Sequence, residues 1–77
     1  MRVTVSAYGE LRRSLLGGHP EQSVELPEGA TLVELAQALG TDPDELALAR
    51  RGSALLREGV PLFEGDRIEL FAPVGGG

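Results

Sequence analysis

The residues with the clearest chemical potential are the last six, Ala72-Pro73-Val74-Gly75-Gly76-Gly77. Three glycines before a carboxylate make a thread without side chains. Such a thread can lie close against another backbone and take angles closed to other residues. A second protein could draw it into a narrow channel and act on the Gly77 carboxylate. Stretched out, Pro73 to Gly77 reach about 16–18 Å. The alternative is a frayed end, since chain termini are commonly loose. Elsewhere the means for catalysis are thin. There is no cysteine, so neither a thiol nucleophile nor a thiolate metal site is available. The one histidine, His19, sits in Gly17-Gly18-His19-Pro20 with no second ligand at metal-binding spacing. Gly17-Gly18 follows a helical pattern and has no lysine after it, unlike a phosphate-binding loop. Glu58, Glu64, Asp66 and Glu69 gather near the end of the sequence. They read as a solvated face or as docking charges rather than as a catalytic pair. Any reaction on this chain therefore falls to the terminus.

All seven basic side chains are arginine. Guanidinium keeps its proton and is a poor nucleophile. An activated Gly77 would find no side-chain amine to acylate on its own chain, which leaves the N-terminal amine alone. The twelve acidic residues bring the net charge to −5. That balance opposes binding to nucleic acid or an anionic membrane and suits a partner with a basic docking surface. No apolar run approaches the roughly 20 residues of a membrane span. Met1-Arg2-Val3-Thr4 runs into a strand pattern rather than a signal-peptide layout. A cytoplasmic protein is expected. The 77 residues make one small-cored domain, residues 1–72, with a tail at 73–77.

The elements that must position the tail follow from periodicity. Val3, Val5 and Ala7 alternate with polar residues, a strand with one buried face. Glu10 to Leu16 predicts a short helix with Leu11 and Leu15 four apart. Ser23 to Leu26 predicts a second strand. Thr31 and Glu34 form a T-x-x-E capping box. Behind it Leu32, Leu35, Ala36 and Leu39 make one apolar stripe, closed by Gly40. Pro43 starts a further turn, and strands are predicted over Leu46–Arg51, Ala54–Arg57 and Arg67–Ala72. One helix after two strands, then three more strands, predicts a mixed sheet of four to five strands with the main helix on one face. This is an α+β, β-grasp (ubiquitin-like) fold with an extra short helix between strands 1 and 2. In it the last strand lies beside the first at the sheet centre. Ile68 and Leu70 then face the core, so Phe71 faces outward at the tail's root. It is either an exposed docking anchor or a ring covered by the crossing loop or the main helix.

In this order the motifs resemble a family. The opening strand runs to Tyr8 and is followed by Leu11-Arg12-Arg13. Glu25-Leu26-Pro27-Glu28-Gly29-Ala30-Thr31 leads into the main helix. Pro61-Leu62 and Glu64-Gly65-Asp66 precede the Phe-x-Pro-Val-x-Gly-Gly ending of Phe71 to Gly77. Over almost its full length the chain is similar to the small, sulfur-carrying subunit of molybdopterin synthase. The resemblance implies a shuttle. An adenylating partner spends ATP on the Gly77 carboxylate, and a sulfur-donor protein converts it to a thiocarboxylate. The tail then enters the large synthase subunit and gives up its sulfur to molybdopterin. Gly77 is by resemblance the sulfur-bearing terminus and Gly76 its diglycine partner. Phe71, Pro73, Val74 and Gly75 fall near the partner contact. The chain itself would bind no cofactor and would not be an enzyme alone.

Two positions depart from the family pattern. Arg51-Gly52 stands where related carriers often have Asn-Gly, and Ala72 where they often have a proline. Neither touches the diglycine; both bear on which partner is recognised. The thiamin-pathway carrier shares fold and tail, but usually joins its first two strands by a short turn. Here about fifteen residues and a helix intervene, well beyond a hairpin loop. A carrier for tRNA thiolation, a protein modifier and an interaction domain with an inert tail are the other readings.

Overall fold

The alternation in Arg2–Ala7 closes Val3, Val5 and Ala7 completely to solvent and leaves the residues between them facing out; this is β1. The computed structural model describes residues 1–46 and 48–71. The boundary between a body ending at 72 and a tail at 73–77 lies outside them. After β1 come α1 (Glu10–Leu16), β2 (Glu21–Glu25), α2 (Leu32–Ala38), a 3-10 turn (Pro43–Leu46), β3 (Leu48–Arg51), β4 (Ala54–Leu56) and β5 (Arg67–Phe71). The sheet order is β2-β1-β5-β3-β4, with β1 and β5 parallel and the other pairs antiparallel. A parallel central pair needs a long crossover, and everything between β1 and β5 supplies it. The result is a β-grasp, the ubiquitin-like architecture.

Local chemistry fixes α2. The Thr31 side chain accepts from Val33 N–H at 3.2 Å, and Glu34 Oε1 accepts from Thr31 N–H, completing the capping box. Gly40, at φ 77°, takes the left-handed position past the helix end, and Thr41 N–H returns to Ala36 C=O at 2.9 Å. The stripe Leu32, Leu35 and Ala36 is buried, with Leu39 packed at its edge. It meets Val3, Val5, Ala49, Ile68 and Leu70 in one core cluster. Leu62 also enters that cluster, and its N–H donates to Ala30 C=O at 2.7 Å, tying the loop before β5 to the entry of α2.

Three details differ from the sequence expectation. In α1 the deeply buried residue is Leu16; Leu15 is only partly covered. The stripe of Leu11 and Leu15 does face the core, but Leu16 beside it goes deeper than Leu15. β2 starts at Glu21, two residues early, because Glu21 and Gln22 pair with Ser6 and Val5 although both are exposed. Edge strands can be polar, so hydropathy does not mark their start. Leu46 belongs to the 3-10 turn rather than to β3, and it is buried.

Candidate functional site

β5 is the last described strand before Gly75-Gly76-Gly77, and its neighbours determine what surrounds Phe71 at its end. Ile68 and Leu70 are fully buried, so the strand cannot roll. Phe71 therefore lies on the outer face, opposite the helices, as expected. It is half-buried there. Neither α2 nor the crossing loop is the cover. Tyr8 and Arg50 are.

The register explains both. Ala7 pairs with Leu70 in the parallel β1–β5 ladder, so the next residue on each strand, Tyr8 and Phe71, come level. Their rings stack with centroids 5.1 Å apart and planes 14° from parallel. On the other side of β5, Leu48 pairs with Phe71 and Arg50 with Glu69. The Arg50 guanidinium carbon lies 4.9 Å from the Phe71 centroid. Arg12, from the first turn of α1, donates through Nε to Ala7 C=O at 3.0 Å and sits 5.8 Å from the Tyr8 centroid.

Glu69 joins these groups. Its Oε1 accepts from Arg50 Nε at 3.1 Å and Nη2 at 2.9 Å; its Oε2 accepts from the Tyr8 hydroxyl at 2.9 Å. Donation from Arg50, then from Tyr8, favours the charged carboxylate and lowers its pKa. The Tyr8 phenol is held above its ordinary value, first because it donates to Glu69 and then because of that carboxylate's charge. Leu48 (47% exposed) and Leu55 (66% exposed), the register partners of Phe71 and Arg50, extend an apolar strip across the face.

Three of the four grouped acids also take part in hydrogen bonds of the fold. Asp66 Oδ2 accepts from Arg51 Nη1 and from Phe63 N–H, each at 2.8 Å, and so closes the turn before β5. Glu64 accepts from Arg2 N–H at 2.9 Å. With Glu69 committed to Arg50 and Tyr8, three of the four carboxylates are structural. The amine of Met1 is likewise engaged, donating to Leu26 C=O at 2.7 Å with Glu28 3.7 Å away. A cleft of about 380 Å³ lies in the helical layer between Leu32, Leu46, Ala49 and Leu56, away from the outer face. Among the described residues no cluster of three or more His, Asp or Glu could hold a metal ion, and no helix is long and apolar enough to cross a membrane.

Gly75, Gly76 and Gly77, with Pro73 and Val74, lie outside the described residues. Of the expected site the structure thus places Phe71, and it adds Tyr8, Glu69, Arg50 and Arg12. Sequence alternation could place Tyr8 on the outer face, though not level with Phe71. Tyr8 continues the outward series Arg2, Thr4, Ser6, and the last strand was expected beside the first.

The sequence profile of the ThiS family matches residues 7–77. The chain belongs to the ThiS family. Its members are ubiquitin-like sulfur carriers and modifiers. No curated protein matches this ThiS-family chain in sequence. Among solved structures it is similar to SAMP1 from Haloferax volcanii, at 21% identity and TM-score 0.77 over 100% of both chains. A second structure of small archaeal modifier protein 1 from H. volcanii gives 20% and 0.76, over 95% of this chain and 98% of that one. A Pyrococcus furiosus protein assigned as molybdopterin converting factor, subunit 1, gives 20% and 0.76, over 96% of this chain and 99% of that one. At these identities the likeness is one of fold.

Proposed function

We propose that this ThiS-family chain is a sulfur carrier, serving as the small subunit of molybdopterin synthase. The observation that supports the carrier part of this reading is the span of the family match. It runs to residue 77 and so takes in the three glycines as well as the β-grasp body. The Gly77 carboxylate is a poor electrophile as it stands. An adenylating partner makes the acyl-adenylate with ATP, releasing pyrophosphate, and sulfide-level sulfur delivered by a sulfur-donor protein then displaces AMP to leave a thiocarboxylate. Gly76 and Gly75 keep the thread narrow enough for a partner channel. Pro73 and Val74 lead from the body, and Phe71 anchors the partner at the thread's root. The large synthase subunit receives the sulfur. The α1 helix between β1 and β2, where the thiamin-pathway carrier usually has a short turn, supports the molybdopterin branch. So does the fold shared with the P. furiosus protein.

The likeness to SAMP1 over the whole of both chains supports a second reading, a protein modifier joined to other proteins through Gly77. One experiment separates these. The protein is tagged at its N-terminus and recovered from its native cell extract with its partners, and its C-terminus is read by mass spectrometry. The large synthase subunit together with one oxygen replaced by sulfur at Gly77 is the expected result. A thiazole synthase or tRNA-thiolation enzyme moves the chain to another pathway, and Gly77 in amide linkage to lysines makes it a modifier. An unmodified terminus with no adenylating or sulfur-transfer partner overturns the carrier reading and leaves an interaction domain.

A further inference from the structure

We propose that Glu69 is the positioning residue of the docking corner: by holding Tyr8 on one side of Phe71 and Arg50 on the other, it fixes the ring's orientation before a partner arrives. The proposal rests on the carrier reading above.

A half-buried aromatic on an open sheet face is not fixed by its backbone, because several rotamers satisfy the strand. Phe71 is fixed from its flanks. Its centroid distance to Tyr8, 5.1 Å, is close to the roughly 4.8 Å between neighbouring strands. The two rings therefore stand on edge across β1 and β5, with their outer rims toward solvent. Arg50 comes from β3, on the opposite side of β5, so Phe71 lies between Tyr8 and the guanidinium. Neither flank is held by burial, since both side chains are more than 40% exposed. Arg12 also lies against Tyr8, but the group that ties both flanks together is one carboxylate two residues before Phe71 on the same face. It gives one oxygen to Tyr8 and the other to Arg50.

With its neighbours on both sides, Phe71 offers a partner the rim of its ring. Ring edges carry the positive end of the quadrupole, so the matching surface is a slot lined by carbonyl oxygens or apolar groups, not a flat plate. A partner meeting a preformed ridge need not order it first, and that saving is lost with Glu69.

The test is ATP–pyrophosphate exchange by the cognate adenylating enzyme, with the full-length carrier varied in concentration. Glu69→Ala is expected to raise KM about tenfold, with kcat within about twofold. Glu69→Gln, whose carbonyl still accepts from Arg50, should restore most of the loss. Tyr8→Phe keeps the stack but loses its hydroxyl bond, and should give an intermediate rise of about threefold. Melting curves monitor folding, and the Phe71 ring-proton NMR shifts report the stack itself. An unchanged KM for Glu69→Ala overturns the proposal, as does a rise that Glu69→Gln matches in full. A wild-type chain that supports no exchange overturns the carrier reading instead. Positioning is then judged from NMR: Phe71 shifts that move in Glu69→Ala support it, and shifts that stay overturn it.

Discussion

The stack of Phe71 with Tyr8 and the partner contact proposed for Phe71 pull on different measurements. Phe71→Ala is expected to cost about 1–2.5 kcal/mol of folding stability, from partial burial and the lost aromatic pair. As an anchor it should cost partner binding about 2 kcal/mol or more, roughly thirtyfold in Kd. Urea denaturation and calorimetric titration of the partner give the two numbers, and the reverse order would make Phe71 a structural residue. Glu69 and Tyr8 carry a pH signature of the same corner. The Glu69 carboxyl is lowered by Arg50 and then Tyr8, so its contribution is complete above the unfolded carboxylate value of about 4.3. It is lost as pH falls through the lower folded value. The Tyr8 phenol is raised by Glu69, so its contribution is complete below about pH 10 and is lost as pH rises through the higher folded value. The two shifts share one hydrogen bond, seen from its donor and from its acceptor, and their contributions do not simply add. Urea midpoints of wild type should fall more on going from about pH 7 to about pH 3 than those of Glu69→Gln. Parallel curves would show that the Glu69 bonds do not persist in solution.

At the scale of elements, α2 has only seven residues, too few to persist without its cap and its apolar stripe. Thr31→Ala removes the acceptor for Val33 N–H and should lower stability by about 0.5–2 kcal/mol. Sulfur transfer should be unaffected at a temperature where the variant is folded, because the cap lies in the helical layer and Phe71 on the opposite face. Loss of transfer at unchanged stability would place a partner contact on α2. This box was legible in the sequence because both of its partners lie within four residues of one another. The start of β2 was not, since the residues that begin it are exposed and polar and join the sheet only by pairing with β1. In α1 Leu11 and Leu15 do face the core, but the deeper Leu16 lay outside their spacing for a similar reason. A two-turn helix presents more than one apolar line, and only the surface beneath it decides between Leu15 and Leu16.

For the molecule as a whole, the parallel β1–β5 pair at the sheet centre holds Phe71, the last described residue before the glycines. The prediction at this scale concerns the chain's end. Extra residues fused after Gly77 should abolish carrier activity and leave the melting temperature unchanged, since the body buries its own core without them. A C-terminally extended chain that still restores molybdopterin synthesis in a strain lacking the carrier would sink the carrier mechanism. The charge of −5 also takes on a different meaning in three dimensions. Asp66 and Glu69 are paired with Arg51 and Arg50, while Glu64, which accepts only from a backbone N–H, stays exposed.

The sequence by itself determined the β-grasp order of elements, the capped helix, the inward Ile68 and Leu70, and the outward Phe71. Each of these depends on neighbours close in the chain or on strict alternation along one strand. The tertiary structure alone decided what stands beside Phe71. Tyr8, Arg50 and Glu69 come from three strands or their ends, and only the parallel register of β1 with β5 and the antiparallel register of β3 with β5 bring them within bonding distance. Local sequence encodes which face a side chain takes. Which side chains share that face is set by strand pairing between residues up to 63 positions apart, Tyr8 to Phe71, and no short-range pattern carries that information.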